Sequence, residues 1–171
     1  MSMRALAALV AAIAISGAAH SEVKASAPDG MVIQIKGEVA LGREAAWARL
    51  IKIGSWWSDA HTYSGKASSM TVDAVAGGCW CEIWEGGEVE HGRVIYIQPN
   101  QAVRFATALG PLQGLGVSGV LTLTLADGSA PGKTAVTLDM NVAGSSLSGL
   151  DKMAAPVNGV LQEQFDRLIK P

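Results

Sequence analysis

The chain has 171 residues, enough for one ordinary domain with a tail and too few for two comfortable ones. Its 49% hydrophobic and 16% charged residues exclude a disordered chain, and 13 basic against 15 acidic residues with no basic patch argue against nucleic acid as a partner. Aromatic residues make up only 5%, so the core must come from Ala, Val, Leu and Ile; yet all five tryptophans lie between Trp47 and Trp84, which marks that stretch as the place to look for a site.

Arg4 is followed by an unbroken apolar run, Ala5 to Ile15, and then by small residues from Ser16 to Ser21. This is the order of a secretory signal peptide over residues 1–21, cut near Ala19 to Ser21. The run is too short to cross a hydrocarbon core, which takes about 20 residues, so the mature protein is expected to have no integral membrane segment and to be periplasmic or secreted. Residues 22–30 read as a polar linker closed by Pro28-Asp29-Gly30, and residues 31–171 as a single domain.

Met31 to Leu41 alternates as a strand does, and Arg43 to Ile53 carries Ala46, Trp47, Leu50 and Ile51 at helical spacing. Ser55 to Gly65 mixes aromatic and polar residues, as in a helical turn and a loop. From Met70 the period is two. Strands are expected at Met70–Val75, Cys79–Glu85, Glu88–Gln98, Val103–Leu109, Val117–Leu125 and Thr134–Val142, with Gly and Pro at their junctions. Short turns between consecutive strands make an antiparallel sheet. Leu150, Met153, Ala154, Val157, Leu161, Phe165 and Leu168 then share one helical stripe, interrupted by Pro156, which must kink the helix or start a new segment.

If Gly86-Gly87 is a two-residue turn, Glu82 opposes His91 and Trp80 opposes Arg93. One face then carries Trp80, Glu82, Trp84, Val89, His91, Arg93, Ile95 and Ile97, and it is the richer in large apolar groups, so it is placed inward. A carboxylate beside an imidazole orients one ring nitrogen. The pair reads as a structural contact, a polar anchor for a ligand, or a proton-transfer dyad, with the first two favoured. Trp56-Trp57-Ser-Asp59-Ala-His61-Thr-Tyr63 resembles the mouth of a small-molecule pocket; the alternative is that Trp56 or Trp57 plugs the core end and His61 is solvated.

Cys79 and Cys81 point to the same side of a strand about 6.6 Å apart, a span that a disulfide would distort, so two reduced thiols are expected. Two cysteines alone do not make a zinc site, and His61 and His91 with Asp59 and Glu82 match no ligand spacing, so no metal is expected. Phosphate-binding and nucleophile-elbow motifs are absent from the sequence. Gly110 to Gly116 reads as a wide turn at a cavity rim.

Gly77-Gly78-Cys-Trp-Cys-Glu82, Glu90-His91-Gly-Arg93 through Pro99, Trp56 through Gly65, Leu109 through Gly114 and Gly149 through Val157 together resemble the SRPBCC (START-like) superfamily, in its polyketide cyclase and chaperone-ATPase-activator-like branch. The resemblance covers about Met31 to Lys170. It implies an α+β helix-grip fold, a curved antiparallel sheet wrapped around a long C-terminal helix with an internal apolar cavity. It implies a small apolar molecule as partner; no cofactor is expected. Trp56, Trp57, His61, Tyr63, Trp80, Glu82, Trp84, His91, Arg93, Phe105, Met153 and Val157 are the expected ligand-binding residues. Binding is the leading expectation. A cyclase, dehydratase or isomerase using Glu82 and His91 is the alternative, and the oligomeric state stays open.

Overall fold

The computed structural model describes residues 19–171. The expected signal peptide therefore falls almost wholly outside the described residues.

Eight antiparallel strands form one sheet in the order β1-β2-β8-β7-β6-β5-β4-β3. The strands are β1 (His20–Ala27), β2 (Gly30–Val39), β3 (Met70–Val72), β4 (Cys79–Trp84), β5 (Gly87–Gln98), β6 (Ala102–Thr107), β7 (Ser118–Asp127) and β8 (Thr134–Ala143). Helix α1 (Arg43–Ile51) and three single 3₁₀ turns link β2 to β3, a further 3₁₀ segment spans Gly110–Leu115, and α2 (Leu150–Ile169) closes the chain. This is the helix-grip architecture: a curved sheet holding a long helix. Among the described residues no helix is long and apolar enough to cross a membrane.

The alternation expected of β2, β7 and β8 is the alternation observed. Ile33, Ile35, Leu121, Leu123, Leu138 and Met140 are buried on the helix side, while Gln34 bonds Asp139 on the other. Helix α2 buries Leu150, Ala154, Leu161, Phe165 and Leu168 against that face. Pro156 neither ends the helix nor starts a new one, and α2 runs through it for 20 residues. Gly37 lets helix and sheet meet closely: a Cβ there would lie 2.9 Å from the Phe165 ring.

The segment expected to be a linker is instead an edge strand, β1, paired with β2 from His20↔Lys36 to Ala27↔Gly30. Its sequence hides this. Val23 is the only large apolar residue, Ser21 shares its side, a register shift between Val23 and Ala25 then turns Ala25 to the other side, and Glu22 and Lys24 face out as charges commonly do on an edge. Ser21 Oγ donates to Asn158 of α2, so the strand belongs to the packed domain.

The β4–β5 hairpin turns one residue earlier than expected. Its two loop residues are Glu85 and Gly86, and Trp84 pairs with Gly87. Glu82 thus opposes Val89. The pairing passes from Cys81↔Glu90 to Trp80↔Gly92, leaving His91 as an extra, bulged residue. His91 keeps the inward facing expected from alternation with Val89, and the bulge reverses the facing of the residues just beyond it, until a second register shift between Val94 and Tyr96 returns Ile97 to the core side. Val94 is buried, whereas Arg93 and Ile95, expected inside, are outside. Arg93 donates to the Gly77 carbonyl at 2.7 Å and pairs with Glu90, well away from the Trp80 ring it was expected to join.

Cys79 and Cys81 form a disulfide, contrary to the expectation of free thiols. The pair lies beside the bulge in the β4–β5 pairing, and its Cα–Cα span is 5.4 Å, within bridging range. The bond lies on the outer face of the sheet, opposite His91 and Glu82.

Candidate functional site

Between α2, the Trp57–Tyr63 segment and the 3₁₀ segment at Gly110 lies a cavity of about 550 Å³. Its walls are mostly apolar: Met153, Pro156, Val157, Val160 and Leu161 from α2, and Leu109, Pro111 and Leu112 from the facing loop. Trp57, His61, Thr62 and Tyr63 line one side, and His91 lies on the wall as well.

Each wall is held in place by specific bonds. Arg167 of α2 donates to the Trp56 carbonyl at 2.8 Å, and the buried Gln164 accepts the Ser58 amide at 2.7 Å. These two bonds tie the tryptophan turn to the helix. Trp57 Nε1 donates to the His61 carbonyl at 2.9 Å, and Asp59 accepts the Ala67 amide at 2.6 Å. His61 Nε2 meets Glu163 at 3.0 Å at the cavity mouth. Asp59 and His61 are thus engaged apart from Glu82 and His91, and the four do not gather as a metal site. Among the described residues no group of three or more such side chains is placed to hold a metal ion.

Glu82 has no exposed surface and sits behind His91. Its carboxylate accepts the Ser64 amide at 2.5 Å, the Tyr63 amide at 3.1 Å and His91 Nε2 at 2.9 Å. Burial pushes the carboxyl up, but the hydrogen bonds from Ser64, Tyr63 and His91 outweigh it and leave it below the usual carboxylate range. For His91 burial dominates, and the ring is held below its ordinary value despite the carboxylate beside it. The resting arrangement is an ionised Glu82 and a neutral imidazole. Both pair members were legible in the sequence, although the register that brings them together is not the expected one.

Of the expected ligand-binding residues, Trp57, His61, Tyr63, His91, Met153 and Val157 line the cavity. The others do not. Trp56 is buried with its Nε1 on the Arg49 carbonyl, so it plugs the core. Trp80 and Phe105 meet as a tilted pair with ring centroids 5.3 Å apart and flank a void of only about 10 Å³ in the core. Trp84 lies over Gly87, where a Cβ would sit 2.5 Å from its ring. Glu82 is behind the wall and Arg93 is outside. Three wall features were missed as such. Val160 and Pro156 flank Val157 at helical spacing and were open to a period argument. Leu109 to Leu112 come from a stretch read only as a rim. Ala60 and Thr62 carried no signal beyond their aromatic neighbours.

No protein-family model matches the chain, and no curated protein sequence does. Solved structures do. CalU16 from Micromonospora echinospora, solved in solution, is 14% identical over 92% of this chain and 78% of its own, with a TM-score of 0.60. The Aha1 dimer from Colwellia psychrerythraea is 16% identical over 81% and 92%, with a TM-score of 0.56. An uncharacterised protein from Rhizobium leguminosarum is 14% identical over 88% and 94%, with a TM-score of 0.58. At these identities the likeness is one of fold.

Proposed function

We propose that this chain is an exported SRPBCC-type protein, of the polyketide cyclase-like branch, that binds a small apolar molecule between α2 and the loops facing it. The observation that carries the reading is the cavity of about 550 Å³ with its apolar walls and few polar groups. That size and lining suit small-molecule sites, which span about 300–1,000 Å³. Export is supported by the apolar N-terminal run and by the Cys79–Cys81 disulfide, a bond of oxidising compartments. Cleavage after Ala19 would leave β1 whole, whereas cleavage after Ser21 would remove its bond to Asn158.

Native mass spectrometry of protein purified from its own host is expected to show a bound apolar molecule. Val157→Trp, which fills the cavity from α2, is expected to weaken apolar-probe binding at least about tenfold, about 1.4 kcal/mol. An empty protein that binds no apolar probe would overturn the reading. A second reading, a cyclase, dehydratase or isomerase, is favoured by one observation: His91 stands on the cavity wall with Glu82 behind it, as an acid/base pair would. Recovery of the bound molecule chemically changed would favour it.

A further inference from the structure

The polar groups around the cavity are mostly spent on the protein itself. Trp57 Nε1 donates to a backbone carbonyl, Thr62 Oγ1 donates to the Asp59 carbonyl, Tyr63 reaches the Gly110 carbonyl at the rim, and His61 Nε2 is engaged by Glu163 at the mouth. His91 differs. Its Nε2 faces a carboxylate that already accepts two amides, and an ionised carboxylate can only accept. Nε2 therefore carries the ring proton. Burial keeps the ring neutral near pH 7, which leaves Nδ1 as a bare lone pair.

Nδ1 accepts no hydrogen bond from any described residue. The sealed, unpartnered side-chain polar atoms among the described residues are Trp80 Nε1 and Gln164 Nε2, so Nδ1 is not closed off within the protein. The ring it belongs to lines the cavity. Tyr63 and Trp80 stand beside that ring, with centroids 5.9 and 5.5 Å away, and flank it with carbon.

We propose that His91 Nδ1 is the cavity's hydrogen-bond acceptor and that the ligand is an apolar molecule bearing a hydroxyl, phenolic or enolic, that donates to it. This rests on the binding reading above and narrows it. Glu82 acts as a positioning residue that sets the tautomer. A ligand that offers only acceptors, such as an ether or a ketone, gains nothing there. A carboxylate is rejected, since its charge would face a lone pair with the Glu82 carboxylate behind it.

Three biphenyl probes of nearly one shape test this: 4-phenylphenol, 4-methoxybiphenyl and biphenyl-4-carboxylate, each titrated against the intact protein by calorimetry. The phenol is expected to bind about 5–10-fold more tightly than the ether, the ratio that one net hydrogen bond gives, and the carboxylate more weakly than both. In His91→Phe the phenol preference should vanish while the ether still binds. If that variant does not fold, nitrogen NMR of wild-type protein labelled at histidine decides. Nδ1 should resonate as an unprotonated ring nitrogen in the free protein and shift when the phenol, but not the ether, is added. Equal binding of phenol and ether, or a protonated Nδ1 in the free protein, overturns the inference and leaves the binding reading standing. Failure of every probe to bind overturns both.

Discussion

Glu82→Ala is expected to cost about 3–5 kcal/mol of folding stability, a large share of what a domain of this size has. The side chain is wholly buried, and its removal strands two backbone amides, Tyr63 and Ser64, together with His91 Nε2. Each donor left unpaired away from water costs about 1–3 kcal/mol, partly relieved where the Tyr63 and Ser64 amides can reach solvent. Urea unfolding of the variant measures the loss, and a change below about 1 kcal/mol would show that the loop and the hairpin hold each other by other means. The same pair makes the protein acid-sensitive. Both groups are held below their ordinary values, so the folded state binds fewer protons than the unfolded one as pH falls. The stability tied to His91 is whole above its ordinary value of 6.5 and is lost as pH drops from there through the folded value. The part tied to Glu82 is lost in the same direction, starting from its ordinary value of 4.5. Denaturation midpoints measured from pH 8 to pH 4 should therefore fall monotonically.

Phe165→Ala is expected to cost about 3–5 kcal/mol as well, for a different reason. The ring is 1% exposed and fills the space over Gly37 that a side chain on β2 would otherwise take. Its loss opens a void between helix and sheet that backbone on both sides prevents from collapsing. Met153, three turns earlier on α2, is only half-buried and faces the cavity. Met153→Ala should cost about 1 kcal/mol of stability and act chiefly on probe affinity. Thermal unfolding and probe titration of the two variants separate the gripping part of α2 from its ligand-facing part. Equal effects of both on stability would contradict that division.

The resemblance and the strand pattern agree with the fold observed because both depend on local alternation. Residues buried on both sides of the hydrogen-bonded ladder, such as Ile33, Leu121 and Met140, announce their face by position alone. The β4–β5 register was not legible in the same way. Two glycines adjoin at Gly86-Gly87, and either Glu85-Gly86 or Gly86-Gly87 can form a two-residue turn. Gly92 was the available clue, since a lone glycine in a strand commonly marks a bulge or a close approach. It does both here: a Cβ at Gly92 would sit 3.0 Å from the Ala106 carbonyl of β6.

The order and type of most elements, the stripe on α2, and the inward face shared by Trp80, Glu82 and His91 were all legible from the chain, because each follows from periods of two or 3.6 along a continuous stretch of it. Other features rest on contacts between segments far apart in the chain. The bulge that turns Arg93 outward lies in the pairing of β5 with β4, where Gly92 rather than His91 comes to oppose Trp80. The Cys79–Cys81 bond depends on the short span between their Cα atoms beside that bulge, and β1 is held to the domain by α2 through Ser21 and Asn158. Of the five tryptophans, only Trp57 reaches the cavity, while Trp56 and Trp80 are core. Whether an aromatic side chain is wall or filling depends on which element packs against it, and that partner lies far away in the sequence.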